Sequence, residues 1–232
     1  MKIHYIQHVP FEYPANITVW AQERGHEVSG TLLFSDREFP STDDFDWLVI
    51  MGGPMNVDEE DVYPWLASEK RFVRKVIEHK KTVLGICLGA QLIADVLGGT
   101  IMKNRHTEIG WHRVRLTQEG SATQVFNALP SDFIAFHWHE DTFSIPDGCI
   151  RTTESDGCLN QSFEYDGHVF GLQFHLESTD ESIQQLIMHS GDDFPEGTYV
   201  QKPEKMLSRE TYLYEIHEIL TAFLDALEGQ NR

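Results

Sequence analysis

Short apolar segments alternate with longer stretches of helical periodicity through the first half of the chain, and this alternation limits the possible folds. Residues 3–7, 46–51 and 82–86 have the apolar character of buried strands. Between them, residues 15–25 and 65–77 carry apolar side chains at the three- and four-residue spacing of a helix. This order predicts an α/β fold with a mainly parallel central sheet.

The second half of the chain has a more antiparallel character. Alternating residues over 111–117 and 133–138 predict strands, and a further strand is predicted over 168–174. Helices follow over 180–189 and over an amphipathic segment from Tyr212 to Leu227, for which Ser208 is the expected N-cap.

Composition narrows the class of protein. The chain has 232 residues and a formal net charge of −19, which would repel nucleic acid and anionic lipid surfaces. Its longest apolar or glycine run, residues 83–90, is shorter than the roughly 20 residues of a membrane-spanning helix. The N-terminus has no signal-peptide pattern. We therefore expect a cytoplasmic protein with neither nucleic acid nor a membrane as partner.

No internal repeat or convincing linker divides the chain. Residues 191–203 are rich in Gly, Pro and Asp, which predicts a loop inside the domain rather than a boundary. We accordingly expect residues 1–232 to form a single domain.

A G-x-C-x-G sequence, residues 85–89, lies between a predicted strand and a predicted helix. The glycines allow a sharp turn, and Cys87 then lies at the helix N-terminus, where unpaired N–H groups favour a thiolate and can receive an oxyanion. Taken alone, the pattern equally fits a small apolar residue packed between strand and helix. Cys149 and Cys158 lack such a context, and we expect both to be structural.

A base for Cys87 is available at the end of a later strand. His175 follows the strand predicted over 168–174, and Glu177 lies two residues further on. Because strand ends at one edge of an α/β sheet lie together, Cys87 and His175 can meet although 88 positions separate them. Cysteine nucleophile, imidazole base and orienting carboxylate form a possible catalytic triad.

These segments resemble the class I, or triad, glutamine amidotransferases, whose patterns include G-x-C-x-G-x-Q and H-P-E. Residues 85–91 match the first pattern, and residues 175–177 match the second except that Leu176 replaces proline. Residues 51–54, Met-Gly-Gly-Pro, resemble the family's oxyanion loop. Glu108-Ile109-Gly110-Trp111 and His137-Trp138-His139-Glu140-Asp141 are similar to segments of the glutaminase domain of GMP synthetase, although Glu140 replaces a glycine.

The resemblance implies a three-layer, flavodoxin-like sheet with helices on both faces and a small antiparallel addition. It also implies hydrolysis of the γ-glutamyl amide through a thioester on Cys87, with release of ammonia and no cofactor. His175 would act as base and then acid, and Glu177 would orient it.

The same resemblance implies binding roles for five further residues. Backbone N–H groups of Gly53 and Leu88 would hold the oxyanion. Gln91, Trp138 and His139 would recognise the amino acid moiety of glutamine. No metal ligand is implied.

The destination of the ammonia is open at this stage. The chain could be a glutaminase subunit that supplies a separate synthetase, or a free-standing hydrolase of γ-glutamyl peptides or amines. These substrates share the acyl group and differ only in the leaving amine.

Three other classes of protein compete with this interpretation. His137, His139 and Asp141 share one strand face and match part of a metal-binding pattern, which would suit a metallohydrolase. An α/β-hydrolase with a cysteine nucleophile would place its acid before its histidine, whereas here His175 precedes Glu177. The third possibility is a non-catalytic binding subunit on the same fold.

Overall fold

The computed structural model describes residues 1–35, 38–191 and 194–230. The strands in these ranges are β1 (Lys2–Gln7), β2 (Glu27–Leu32), β3 (Trp47–Ile50), β4 (Thr82–Ile86), β5 (Ile101–Leu116), β6 (Asp132–Phe143), β7 (Cys149–Ser155), β8 (Ser162–Tyr165), β9 (Val169–Leu172) and β10 (Tyr199–Val200). The α-helices are α1 (Ala15–Glu23), α2 (Trp65–Glu78), α3 (Leu88–Val96), α4 (Asp180–His189), α5 (Pro203–Met206) and α6 (Glu210–Gln230).

All of these strands belong to one sheet. Its order is β10-β5-β7-β8-β9-β4-β3-β1-β2, and β6 also pairs with β5. The part running β2-β1-β3-β4-β9 is parallel throughout, and its order is that of flavodoxin-like folds. The predicted mainly parallel α/β sheet is confirmed.

Side chains of successive strand residues point to opposite faces and separate two cores. In β3, Trp47 and Val49 face one core, whereas Leu48 and Ile50 face the other. Helices α1, α4 and α6 cover the first face, and α2 and α3 cover the second. Helices therefore cover both faces of the sheet, as expected.

The antiparallel addition lies at one side of the parallel sheet. Strands β5 and β6 pair in antiparallel fashion along most of their length, with a register shift between Lys103 and Glu108. Strands β7 and β8 continue the antiparallel pairing to β9. Because β9 also pairs in parallel with β4, it joins the two parts.

The structure corrects several details of the sequence-based assignment, and it adds strands β7 and β8, which were not predicted. Helix α6 begins at Glu210, so Ser208 lies two residues before it, with a φ of 57°, and does not form the N-cap. Strand β2 was not expected because its residues are mostly polar and exposed at the sheet edge. The loop expected over 191–203 contains β10, and its residues 192 and 193 lie outside the described residues.

No helix within the described ranges is both long and apolar enough to cross a bilayer. This agrees with the absence of a long apolar run in the sequence.

Candidate active site

Cys87 occupies a strained turn between β4 and α3. It is the N-cap of α3, with a φ of 52° and a ψ of −109°, a conformation that residues with a side chain rarely adopt. Its N–H donates to the carbonyl of Leu172 in β9 at 2.8 Å. The turn therefore holds the sulfur at the carboxyl edge of the parallel sheet.

The two flanking glycines are required by backbone packing. A Cβ on Gly89 would lie 2.1 Å from the carbonyl oxygen of Ile50, and one on Gly85 would lie 2.5 Å from the backbone of Gly89. Neither backbone atom can move away as a flexible side chain could. The sharp turn and the close approach of α3 to β3 therefore depend on glycine at both positions.

His175 and Glu177 form a buried pair beside this turn. The Nδ1 atom of His175 lies 2.7 Å from Oε1 of Glu177, and the two side chains are only 4% and 6% exposed. The His175 N–H donates to the carbonyl of Phe136 at 2.8 Å, which draws the chain from β9 towards β6. His175 is thereby fixed through both its backbone N–H and its imidazole ring.

The pKa of His175 is raised well above its ordinary value. Burial acts to lower this pKa, but the charge of Glu177, the hydrogen bond to its carboxylate and the charge of Cys87 outweigh that effect. His175 is consequently placed to exchange a proton with Cys87, while Glu177 stabilises the charged ring.

Two further groups contact the Cys87 sulfur. Its thiol donates to the carbonyl of Trp138 over 3.7 Å, and Nε2 of Gln173 donates to the sulfur over the same distance. Gln91 in turn donates to Oε1 of Gln173 at 3.1 Å. Gln173 was missed in the sequence, although its position two residues before His175 on an extended chain could have indicated it.

The loop after β3 lies against the turn. A Cβ on Gly52 would lie 3.5 Å from Cβ of Cys87, and one on Gly53 would lie 2.9 Å from Cδ2 of Leu88. Leu88 is the first residue of α3, where backbone N–H groups have no partner within the helix. Both expected oxyanion donors are therefore in the immediate neighbourhood of Cys87.

A cavity of about 580 Å³ opens beside Cys87. Its wall includes the predicted residues Cys87, Gly53, Gln91, Trp138 and His139. Cys87 is 8% exposed and forms part of the wall of this cavity. His175 and Glu177 are not among the lining residues and lie in the protein interior beside the cysteine.

The cavity wall is rich in charge. Glu12, Glu140 and Asp141 contribute carboxylates, and Lys103 contributes an ammonium group whose Nζ lies 3.3 Å from Oε2 of Glu140. Burial raises the pKa of Glu12, although the charges of His175 and His8 act in the opposite direction. Glu12 was not expected because it lies in the loop after β1, without a motif.

The metal-binding alternative involves a different set of residues from the one considered in the sequence. In the described part of the chain, the side chains that converge closely enough to hold a metal ion are Glu108, His137 and His139. Asp141 is not part of this group, and its carbonyl pairs with Nδ1 of His139 at 3.0 Å.

The buried Glu108 carboxylate is already hydrogen bonded. Ser155 donates to its Oε1 at 2.6 Å, and Nε2 of Gln161 donates to its Oε2 at 2.5 Å. The Gln161 amide nitrogen also lies 3.4 Å from Nδ1 of His137. The Gln161 amide thus links Glu108 to His137, and hydrogen bonds join β5 and β6 to the segment after β7.

Burial lowers the pKa of His137 to about 3, so this ring is neutral near pH 7 and Glu108 is the charged member of the pair. Burial acts to raise the pKa of Glu108, but hydrogen bonding to His139 and to Ser155 outweighs burial and lowers the pKa to about 2. Both ring nitrogens of His139 face protein groups, since Nε2 lies 3.2 Å from Oε2 of Glu108. His139 thus forms part of the cavity wall with its polar atoms directed into the protein.

The other two cysteines lie outside the site. Burial raises the pKa of Cys149 to about 12 and that of Cys158 to about 11. Both are free thiols, and neither lines the cavity.

Comparison with known proteins agrees with this architecture. A family model described as glutamine amidotransferase class-I matches residues 8–191. The chain is 30% identical over 232 residues to YfeJ, a glutamine amidotransferase-like protein of Salmonella typhimurium, covering 98% of this chain and 97% of that protein. It is 30% identical over 160 residues to one subunit of the glutamine-hydrolysing GMP synthase of Thermoplasma acidophilum, covering 68% of this chain and 76% of the relative.

A solved structure has a closely similar backbone. The crystal structure of a glutamine amidotransferase from Thermotoga maritima matches with a TM-score of 0.88 and 26% identity, covering 98% of this chain and 97% of that one. The family match includes the turn at Cys87, the His175–Glu177 pair and the loop at Gly53. The chain therefore belongs to the class I glutamine amidotransferase family.

Proposed function

We propose that this chain hydrolyses the γ-glutamyl amide of glutamine through a thioester on Cys87. The observation that carries the proposal is the placement of the Cys87 sulfur at the cavity, with a buried His175–Glu177 pair beside it. This arrangement supplies a nucleophile, a base and an orienting carboxylate in one place.

The chemistry follows from these positions. His175 takes the thiol proton, the sulfur attacks the amide carbon, and the carbonyl oxygen becomes negatively charged. Backbone N–H groups of Gly53 and Leu88 stabilise that oxyanion, a contribution of about 3 to 4 kcal/mol per donor in other acyl-transfer enzymes. His175 then protonates the departing ammonia. Water, activated by the same imidazole, releases glutamate and restores Cys87.

A separate synthetase subunit is one destination for the ammonia. The Thermoplasma acidophilum relative belongs to a glutamine-hydrolysing GMP synthase, and its name supports this use. The similarity to that relative covers only part of this chain, whereas the similarity to YfeJ covers nearly all of it. A synthetase partner for this chain is accordingly supported by the GMP synthase relative and not by YfeJ.

The cavity supports a second candidate, hydrolysis of γ-glutamyl peptides or amines. A volume of about 580 Å³ falls in the usual range for pockets that hold ligands larger than an amino acid. Three acidic side chains on its wall, Glu12, Glu140 and Asp141, outnumber the ammonium group of Lys103, and this acidic excess suits a cationic leaving amine. Ammonia as leaving group would leave much of this space unused.

A comparison of turnover among different substrates tests both candidates. Purified wild-type protein would be assayed for glutamate release from glutamine, from γ-glutamyl peptides and from γ-glutamyl diamines, and the values of kcat/KM would be compared. A higher value for the diamines favours the second candidate, and a higher value for glutamine favours the first.

Two cysteine variants provide the controls. Cys87→Ala should release no glutamate from any substrate, whereas Cys149→Ala should retain the wild-type rates because this thiol lies outside the cavity. Activity retained by folded Cys87→Ala protein would refute the thioester mechanism. Absence of glutamate release from every substrate would refute the hydrolytic function of the isolated chain.

A further inference from the structure

We propose that His8 and Glu69 are positioning residues that hold the Gly52–Gly53 peptide group so that the Gly53 N–H faces the oxyanion. This inference rests on the proposed function and deepens it. His8 follows β1, and Gly52 lies in the loop after β3, so the two residues leave adjacent parallel strands at the same edge of the sheet.

The first step of the argument is the hydrogen bond to Gly52. The Nδ1 atom of His8 lies 2.9 Å from the carbonyl oxygen of Gly52, and the contact is buried. That oxygen and the Gly53 N–H belong to one planar peptide group, and none of the described peptide bonds is cis. In a trans peptide the two bonds point in opposite directions, so fixing the carbonyl also fixes the N–H.

The Gly53 N–H is available for a ligand. In the described part of the chain, it donates no hydrogen bond to a protein group, and Gly53 lies on the cavity wall. A carbonyl turned towards the interior and an N–H left open on the cavity side are what an oxyanion donor requires.

The second step is the ion pair behind His8. Its Nε2 atom lies 3.0 Å from Oε1 of Glu69, and both side chains are 0% exposed. Because one ring nitrogen faces a carbonyl oxygen and the other a carboxylate oxygen, both must carry hydrogen to donate. Burial acts to lower the pKa of His8, but the charge of Glu69 and hydrogen bonding to it raise the pKa overall.

The pair explains an exception on helix α2. Glu69 lies on the helix face that is otherwise apolar, between Leu66 and Phe72. Trp65, one turn earlier on α2, stacks on the His8 ring with centroids 5.5 Å apart. Helix α2 therefore holds the imidazolium from two sides, and the imidazolium in turn holds the glycine loop.

A loop with two adjacent glycines needs such an anchor. Gly52 and Gly53 have no Cβ to restrict rotation of the peptide group between them, so other orientations of this group cost little free energy. A charge-assisted hydrogen bond is stronger than a neutral one, and it also polarises the peptide so that its N–H becomes a better donor. Loss of the His8–Glu69 pair should therefore reduce stabilisation of the transition state more than it reduces the affinity for substrate.

The test compares a double variant of the pair with a single variant of His8. His8→Phe with Glu69→Leu keeps an aromatic ring beside Trp65 and leaves no unpaired buried charge. We expect kcat for glutamine to fall by about 100-fold, the effect of losing one oxyanion donor in other enzymes, with KM changed by less than about twofold. His8→Asn, which retains an N–H near the Nδ1 position, should recover part of kcat.

Alkylation of Cys87 by iodoacetamide separates positioning from damage to the nucleophile. This displacement forms no oxyanion, so its rate should remain within about twofold of wild type in both variants. His4→Gln is the matched control, because His4 is a buried histidine of β1, four residues before His8, that bonds Ser29 and Thr31 and does not line the cavity. This variant should keep the wild-type kcat.

Several results would overturn the inference. A wild-type kcat in the folded double variant would do so, as would a parallel loss of kcat and of alkylation rate. If the double variant does not fold, Glu69→Gln replaces it, with an expected fall in kcat of about 10-fold and no change in alkylation; an unchanged kcat would then refute the inference. Wild-type protein that neither turns over nor is labelled at Cys87 would refute the proposed function itself and the inference that rests on it.

Discussion

The backbone N–H of Cys87 donates to the carbonyl oxygen of Leu172 at 2.8 Å. This bond extends the pairing of β4 with β9 by one residue and brings Gln173 and His175 alongside the turn. Two segments separated by more than eighty positions thereby meet at one sheet edge. The local glycine motif forms the turn at Cys87, and the sheet register brings the segment of His175 to it.

Strain at Cys87 makes a prediction about stability. Glycine adopts its φ of 52° without steric cost, whereas alanine does not. We expect Cys87→Gly to exceed Cys87→Ala in free energy of unfolding by about 1 kcal/mol, with both variants inactive. Urea unfolding of the two variants measures the difference. Equal stabilities would show that this backbone conformation carries little strain.

Glycine at position 89 should be indispensable to the fold around the turn. A Cβ at this position would lie 2.1 Å from the Ile50 carbonyl oxygen, so Gly89→Ala should lower the free energy of unfolding by about 3 kcal/mol. Gly229→Ala near the end of α6 is the matched control, because its Cβ would meet no atom within 4 Å. Thermal unfolding of both variants checks the contrast, and similar losses would contradict it.

The Glu177 carboxylate should make stability depend on pH through His175. The pKa of His175 in the folded state is raised above its ordinary value of 6.5. The stabilisation of the folded state by the charged His175–Glu177 pair is therefore fully present below pH 6.5, and it is lost as pH rises through the raised pKa. Glu177→Gln removes the charge that raises this pKa. The stability difference between wild type and variant should therefore be larger near pH 6 than at alkaline pH, where His175 loses its proton. Urea unfolding across this range measures it, and a constant difference would be inconsistent with this coupling.

The same substitution should affect turnover less than loss of the nucleophile. Glu177 orients and stabilises the imidazole but does not react with substrate. Steady-state assays should therefore detect residual activity in Glu177→Gln and none in Cys87→Ala. A complete loss of activity in both folded variants would show that Glu177 is as essential to the reaction as Cys87.

Acid should destabilise the protein partly through Glu108. Its pKa is lowered from 4.5 to about 2, so its contribution is present above pH 4.5 and is lost as pH falls towards 2. Glu108→Gln should be less stable than wild type near pH 6, and the difference should narrow below about pH 4. Chemical denaturation at several pH values tests this, and a gap that persists into acid would refute it.

The sequence predicts the central elements well where periodicity and burial coincide. The buried face of α2 includes Trp65, Phe72 and Val76, as its apolar spacing predicts, and α4 spans the predicted residues 180–189. The turn at Cys87 is predictable because glycine spacing and strand-to-helix order are local properties. Strand β2 is not, since its polar residues lie at the sheet edge and lack strand-like alternation.

Long-range pairing accounts for the parts of the site that local patterns do not reveal. His8 and Glu69 lie 61 positions apart, and nothing near either residue indicates the other. Glu12 likewise reaches the cavity only through the loop geometry after β1. The roles of the catalytic residues, the extent of the domain and the cellular location remain predictions.

Covalent labelling tests the central claim most directly. Native protein would be treated with an electrophilic glutamine analogue, with and without excess glutamine, and the modified residue would be identified by peptide mass spectrometry. The account predicts one label, on Cys87, that glutamine suppresses, with Cys149 and Cys158 unmodified. A label on another residue, or labelling of Cys87 that excess glutamine does not reduce, would contradict it.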